Sequence, residues 1–232
     1  EMSTTGNGLL LRTNIIAAVG GLHFSSDPDI ISGALLYIKG DLQANSVAQE
    51  WIVSILLLGA ILGALISGYL ADRIGRKYTK VISGSIYVIG ALGAAFSISV
   101  PMLLVFRFIL GLSVGTASFV SPLYISEVAP PKMRGALVSF NQLAVTSGIL
   151  LSYLVDFAFK DVPGNWRWML GIAVIPGLVL AIGMLTVPRT PRWLMQNRRE
   201  DEARGVLTKL RSEDKDANID KEIADIKKAN KE

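Results

Sequence analysis

Long uncharged apolar runs alternate along this chain with short loops that carry the charge. From Trp51 to Ala71 no residue is ionisable, and an α-helix needs roughly 20 such residues to cross a hydrocarbon core of about 30 Å. From Val81 to Ser126 the one charge is Arg107, and Pro101 divides the run; at about 1.5 Å per residue it is long enough for roughly two crossings. Gly135 to Val155 and Trp168 to Pro188 are again charge-free and of spanning length, each bounded by charged or Pro-containing loops. With a first span near Ile15 to Ile38, the pattern predicts an all-α membrane protein with a six-transmembrane-helix bundle.

The first span departs from this regularity. Ile15 to Phe24 and Ile30 to Ile38 are each too short to cross alone, and Ser25, Ser26, Asp27, Pro28 and Asp29 lie between them. Proline removes a backbone donor and clashes with the preceding turn, so a break near Pro28 leaves backbone groups that need protein or water partners. The segment is either a broken helix lining a cavity or two interfacial pieces. Asp27 and Arg107 are the intramembrane charges of the first and fourth spans. An ion near the bilayer centre costs about 3 kcal/mol unless paired or hydrated, so the two are expected to pair, and protonation of Asp27 would loosen the pair and link a proton to helix movement. The competing expectation for Arg107 is snorkelling to the nearer interface. His23, beside the break, receives no role.

The fifth span carries Asn141, Gln142, Thr146 and Ser147 in otherwise apolar sequence, with Gln142 and Thr146 on one helical face. Amides and hydroxyls both donate and accept, which suits a neutral polyol; bonding between helices of the bundle would satisfy them equally. Gly59-x-x-x-Gly63 and Gly111-x-x-x-Gly115 allow close helix approach.

Composition agrees with burial in lipid: 51% of residues are hydrophobic and 18% charged, against about 25% charged in soluble chains. Placement of Lys and Arg matters more than the net charge of +4. Arg73, Arg76, Lys77 and Lys80 follow the second span, Lys132 and Arg134 the fourth, and a dense basic set the sixth, whereas Lys160 and Arg167 are offset by Asp156 and Asp161 in an alternate loop. Both termini are therefore expected in the cytoplasm of a multi-pass protein of the cell membrane. The short polar N-terminus has no signal-peptide pattern. The chain has no cysteine, and the sequence offers no P-loop and no metal-ligand spacing, so no enzyme activity, cofactor, metal or nucleic-acid partner is expected. Beyond Pro188 the chain turns polar. Leu194, Ala203, Val206, Leu207 and Leu210, then Ile219, Ile223 and Ile226, predict two short amphipathic helices. The expected division is a bundle over 1–188 and a cytoplasmic helical segment over 189–232.

Several motifs recur together: Gly68 to Lys77 (GYLADRIGRK), Arg107-Phe-x3-Gly111-x3-Gly115, Pro122-Leu-Tyr-Ile-Ser-Glu127-x-Ala-Pro130-x3-Arg134-Gly135, Gln142, and Pro188-Arg-Thr-Pro191-Arg192-Trp193-Leu194. In these the chain resembles the N-terminal half of a sugar porter of the major facilitator superfamily. The resemblance implies that Gln142 contacts sugar, with Thr146 on its face and Phe24 lining the same pocket, and that Asp27 and Arg107 serve proton coupling. It implies that Asp72, Arg73, Arg76, Lys77, Glu127, Arg134 and Arg192 form a cytoplasmic charge network holding two halves together. The chain departs from the family in its first helix, where Asp29 adds an acid and Pro28 a fixed bend, and at Arg189, where an acid is usual.

Six spans supply half a pocket and half a gate, because alternating access needs one bundle rocking against another. The expected function is the N-terminal half of a secondary-active sugar transporter, coupled to protons and moving a monosaccharide or polyol once joined by a C-terminal six-helix half or a second copy of itself. The alternative is a non-transporting membrane module that binds sugar or a partner bundle.

Overall fold

The computed structural model describes residues 12–13, 15–16, 29–130, 132–212 and 218–230, the side chains of Arg134 and Val138 excepted. Every regular element among them is a helix. Residues 29–41 form α1. It is followed by α2 (Ser46–Ile74), α3 (Arg76–Ala95), α4 (Val100–Val128), α5 (Arg134–Phe159), α6 (Asn165–Ile172), α7 (Val174–Thr186), α8 (Pro191–Gln196), α9 (Glu200–Leu210) and α10 (Ile219–Ala229). Four stretches are long and apolar enough to cross a membrane: α2, α4, Gly135–Phe159 of α5, and Asn165–Thr186, which joins α6 to α7.

Local chemistry sets the helix ends. Asn45 caps α2 by accepting the Ala48 N–H at 2.8 Å. Ser99 accepts the Met102 N–H at the start of α4, whose first turn holds Pro101 where a missing N–H costs nothing. Gly75 turns the chain from α2 into α3 with φ +92°, a conformation only glycine adopts without strain, and a Cβ there would press on the Trp193 ring. The expected sixth span is interrupted at Ala173, because Pro176 has no N–H to return to the Ile172 carbonyl.

The core forms where α2 and α3 both pack on α4. Gly59, Gly63, Gly111 and Gly115 meet along the α2–α4 seam. A Cβ at Gly111 would strike the Leu56 carbonyl, and one at Gly115 the Ala60 carbonyl. On its other side α3 meets α7, with Gly84 set against Gly177 and Ala181. Ile52, Leu56, Tyr87, Leu103, Leu110, Trp166 and Met169 fill the interior. In contrast, α5 touches α4 and α6 only lightly.

Three helices, rather than the expected two, cover the tail. Leu194 lies in α8 and the apolar stripe Ala203, Leu207, Leu210 in α9. Between them Arg198 takes φ +59°, and the Asn197 amide caps the Trp193 carbonyl at 2.9 Å. The stretch from Leu194 to Ala203 thus holds a turn that the apolar spacing alone did not reveal.

Candidate functional site

Two regions concentrate the chemistry. The first lies at the charged end of the bundle, where the α2–α3 turn, the end of α4 and α8 converge. Arg76, buried at the start of α3, donates from Nε to Glu127 Oε1 at 3.1 Å and from Nη1 to the Ala71 carbonyl at 3.1 Å and Gln196 Oε1 at 3.3 Å. The same guanidinium lies 3.1 Å from Asp72. Only 5% and 4% of the Arg76 and Glu127 side chains are exposed, while Asp72 is 69% exposed. A buried ion pair of this kind depends on its added hydrogen bonds to offset desolvation, and the Ala71 and Gln196 oxygens provide them. Arg192 is exposed on α8 and adds an attractive charge to Glu127. Lys77 donates to the Leu185 carbonyl at 2.8 Å, tying α3 to α7.

Arg73 stands apart from this cluster: it bonds the Tyr69 hydroxyl at 2.8 Å on an exposed face of α2. The Arg134 side chain lies outside the described residues. Further participants take roles here that the sequence did not reveal. Gln196 joins Arg76 from α8. Arg189 stacks between Tyr78 at 4.7 Å and Trp193 at 4.4 Å in a cation–π sandwich. Trp193 also donates its indole N–H to the Asp72 carbonyl at 3.0 Å. Arg211, between α9 and α10, donates to the Val128 and Ala129 carbonyls at the end of α4 and pairs with Glu222 at 2.7 Å. Cations near helix C-termini neutralise the orphan carbonyls, and here one side chain also fastens the tail.

The second region lies within the bundle. Arg107 is 1% exposed and donates from Nε to the Ile52 carbonyl at 3.0 Å. Its side chain is buried against α2 rather than extended to the surface. Asp27 and Phe24 lie outside the described residues, as do His23 and Pro28. On α5, Gln142 and Thr146 are both exposed, and the Thr146 hydroxyl donates to the Gln142 carbonyl at 3.2 Å. Asn141 beside them is half-buried. Lys80, fully buried on α3, sits 5.8 Å from the centre of the Tyr124 ring.

Asp156 corrects the loop assignment made from charge alone. It lies inside α5, its carboxylate seated so closely on Gly33 of α1 that a Cβ there would collide with it. Asp29, at the start of α1, lies near enough to act on its charge. Sequence placed Asp156 near a span end; only the helix pairing brings it onto α1.

With this geometry in view, comparison with known proteins is decisive. The profile of the Sugar (and other) transporter family matches residues 13–232. The chain belongs to that family. The sugar transporter family consists of membrane carriers and not of enzymes. Relatives include the putative metabolite transport protein YwtG of Bacillus subtilis, 48% identical over 93% of this chain and 46% of its own length. The glucose transporter GlcP of Staphylococcus epidermidis is 45% identical over 93% of the chain and 48% of its own length. The galactose-proton symporter of Escherichia coli is 43% identical over 92% and 46%. Among solved structures, the proton:xylose symporter XylE bound to 6-bromo-6-deoxy-D-glucose superposes with a TM-score of 0.89 at 30% identity, over 97% of this chain and 54% of that one. The inward-open conformation of XylE from E. coli gives 0.85 at 31% identity, over 95% and 56%. The chain therefore spans about half the length of the relatives it matches, and its fold is the six-helix membrane bundle of the major facilitator superfamily.

Proposed function

We propose that this chain is the N-terminal half of a proton-coupled sugar transporter, moving a neutral monosaccharide or polyol by alternating access when joined to a second six-helix bundle. The observation that carries the reading is the exposed polar face of α5. Gln142 and Thr146 present an amide and a hydroxyl from a helix otherwise apolar enough to span, and an amide facing lipid hydrocarbon is costly unless a ligand or partner satisfies it. In this reading Gln142, Thr146 and Phe24 bind the sugar, and Asp27 exchanges the proton beside Arg107, which Ile52 holds in place. The Arg76–Glu127 cluster, with Asp72, Arg73, Lys77, Arg134 and Arg192, closes the cytoplasmic gate against the second bundle. Both termini face the cytoplasm of the cell membrane, with the bundle over 1–188 and the helical segment over 189–232. Similar superposition on sugar-bound and inward-open XylE supports a half that moves as one body.

Uptake of a labelled monosaccharide panel by cells producing the chain, alone and with a C-terminal six-helix bundle, tests the reading. Uphill uptake is expected with the second bundle, or alone where light scattering shows a dimer. Gln142→Ala is expected to weaken sugar binding about tenfold, the size of one lost polar contact. Asp27→Asn is expected to abolish uphill uptake while sparing exchange. Undiminished uphill uptake in Asp27→Asn removes proton coupling from the proposal, and sugar binding that ignores Gln142→Ala removes the α5 site.

A further inference from the structure

A large apolar groove opens on the bundle at the end opposite the charge cluster. Leu92 and Phe96 of the α3 terminus, Phe159 at the end of α5, and Trp168 and Ile175 of α6 and α7 form its walls. Its volume is about 700 Å³, within the roughly 300–1,000 Å³ of clefts that hold small molecules. Phe159 and Trp168 stack with ring centres 6.3 Å apart and planes 11° from parallel, making one rigid wall. Phe96, Trp168 and Ile175 are all exposed. A tryptophan at a span terminus, here Trp168, marks the level of the lipid headgroups, and Leu92 lies about one turn and Ile175 about two turns deeper into the hydrocarbon.

Among the described residues, the sole ionisable side chain in the lining is Arg167. Its guanidinium is held in place: Nη1 donates to the Ala95 carbonyl at 2.9 Å, and the plane lies 4.3 Å from the Trp166 ring centre. Trp166 is itself anchored by its indole bond to Asp41 at 2.7 Å. A guanidinium has five N–H donors in a fork that matches phosphate oxygens, and Ala95 takes one of them. An apolar trough that runs into the hydrocarbon, with one fixed cation at headgroup level, is complementary to an amphiphile with one anionic group and a long chain. A sugar would find almost no polar partner there, and a soluble anion would leave the trough unfilled.

We infer that this groove binds a phospholipid of the leaflet opposite the charge cluster, with its phosphodiester on Arg167 and one acyl chain lying between Phe96, Trp168 and Ile175. The site is separate from the α5 face proposed for sugar.

The test is native mass spectrometry of the whole chain, delipidated in detergent and then titrated with phosphatidylglycerol. One tightly retained lipid per chain is expected. Arg167→Gln is expected to reduce its retention about tenfold, the equivalent of one charge-assisted contact. Gly171 lines the groove, and a Cβ there meets only the Ala95 methyl at 3.6 Å, so Gly171→Leu is expected to fill the trough and displace the chain without touching the cation. Circular dichroism and elution volume check both variants for folding, and Gly171→Leu decides alone if Arg167→Gln misfolds. Lys39→Gln, which removes an exposed cation at the same end but outside the groove, is expected to keep the lipid. Retention that survives in the folded groove variants overturns the proposal, as does an equal loss in Lys39→Gln, which would reduce binding to general charge attraction. A chain that dimerises through this face once lipid is removed, and takes up none on titration, would put a second copy in the groove and equally overturn it.

Discussion

Helices α4 and α5 are alike in length, 29 and 26 residues, and both are apolar enough to cross a membrane. Yet half of the most apolar stretch of α4 is buried within the bundle, against 11% in α5. Small residues explain the difference on the α4 side. Gly111 and Gly115 bring its backbone against the carbonyls of α2, and Ser113 exchanges hydrogen bonds with Ser83 of α3. On α5, Leu143, Leu150, Tyr153, Leu154 and Phe157 point outward with Gln142 and Thr146 among them. One helix is the spine of this half, and the other offers a surface that is amphipathic in a solvent with no water. Small residues therefore mark contact made within the half, and exposed polar residues on a spanning helix mark groups that the half itself leaves without a packing partner.

The comparison breaks most sharply at the charged end of α4. Glu127→Ala leaves Arg76 buried without its carboxylate and is expected to cost about 3–5 kcal/mol, read as thermal unfolding in detergent. Asp72→Ala removes the exposed partner of the same arginine and should cost under about 1 kcal/mol; equal effects would mean that burial is not what distinguishes the two pairs. Next comes the seam. Gly115→Leu drives a side chain into the Ala60 backbone and is expected to cost at least about 1–3 kcal/mol, whereas Leu150→Ala on α5 should stay within about 0.5 kcal/mol.

A smaller and more local effect is expected from Arg211→Ala, which uncouples α10 from the end of α4. Amide exchange in α10 should accelerate about tenfold, matching roughly 1.4 kcal/mol, with the bundle unchanged. The smallest effect sharpens the contrast. Gln142→Leu should alter the stability of the isolated chain by less than about 0.5 kcal/mol, because α5 gives its amide no structural duty. A loss above about 2 kcal/mol would show Gln142 to be bonded within the half and would remove the basis for placing a ligand there.

Much of the fold was legible because its determinants are local. Pro101, which divides two spans in the sequence, sits in the first turn of α4, and the charge-free runs Trp51–Ala71 and Gly135–Val155 fall inside α2 and α5. The break at Ala173 was equally written in Pro176, although run length alone concealed it. The site was less legible. Arg76 and Glu127 are 51 positions apart, and only the motif resemblance joined them. Arg73, from the same motif, turned instead to Tyr69 one helical turn back. Asp156 looked like a loop charge, yet the α1–α5 contact sets it on Gly33.

The sequence by itself determined where this protein crosses the membrane, where its helices start and stop, and which polar groups had to be accommodated. Those properties follow from hydrophobic transfer and from backbone hydrogen bonds closed within a few residues. Tertiary structure alone decided which of those groups meet. Arg189 became a cation between two aromatic rings, Arg211 a clasp on the last carbonyls of α4, and Arg167 a fixed charge in an apolar groove. Each outcome depends on the angle and register at which distant helices pack, and in this chain close contact between glycines sets that geometry.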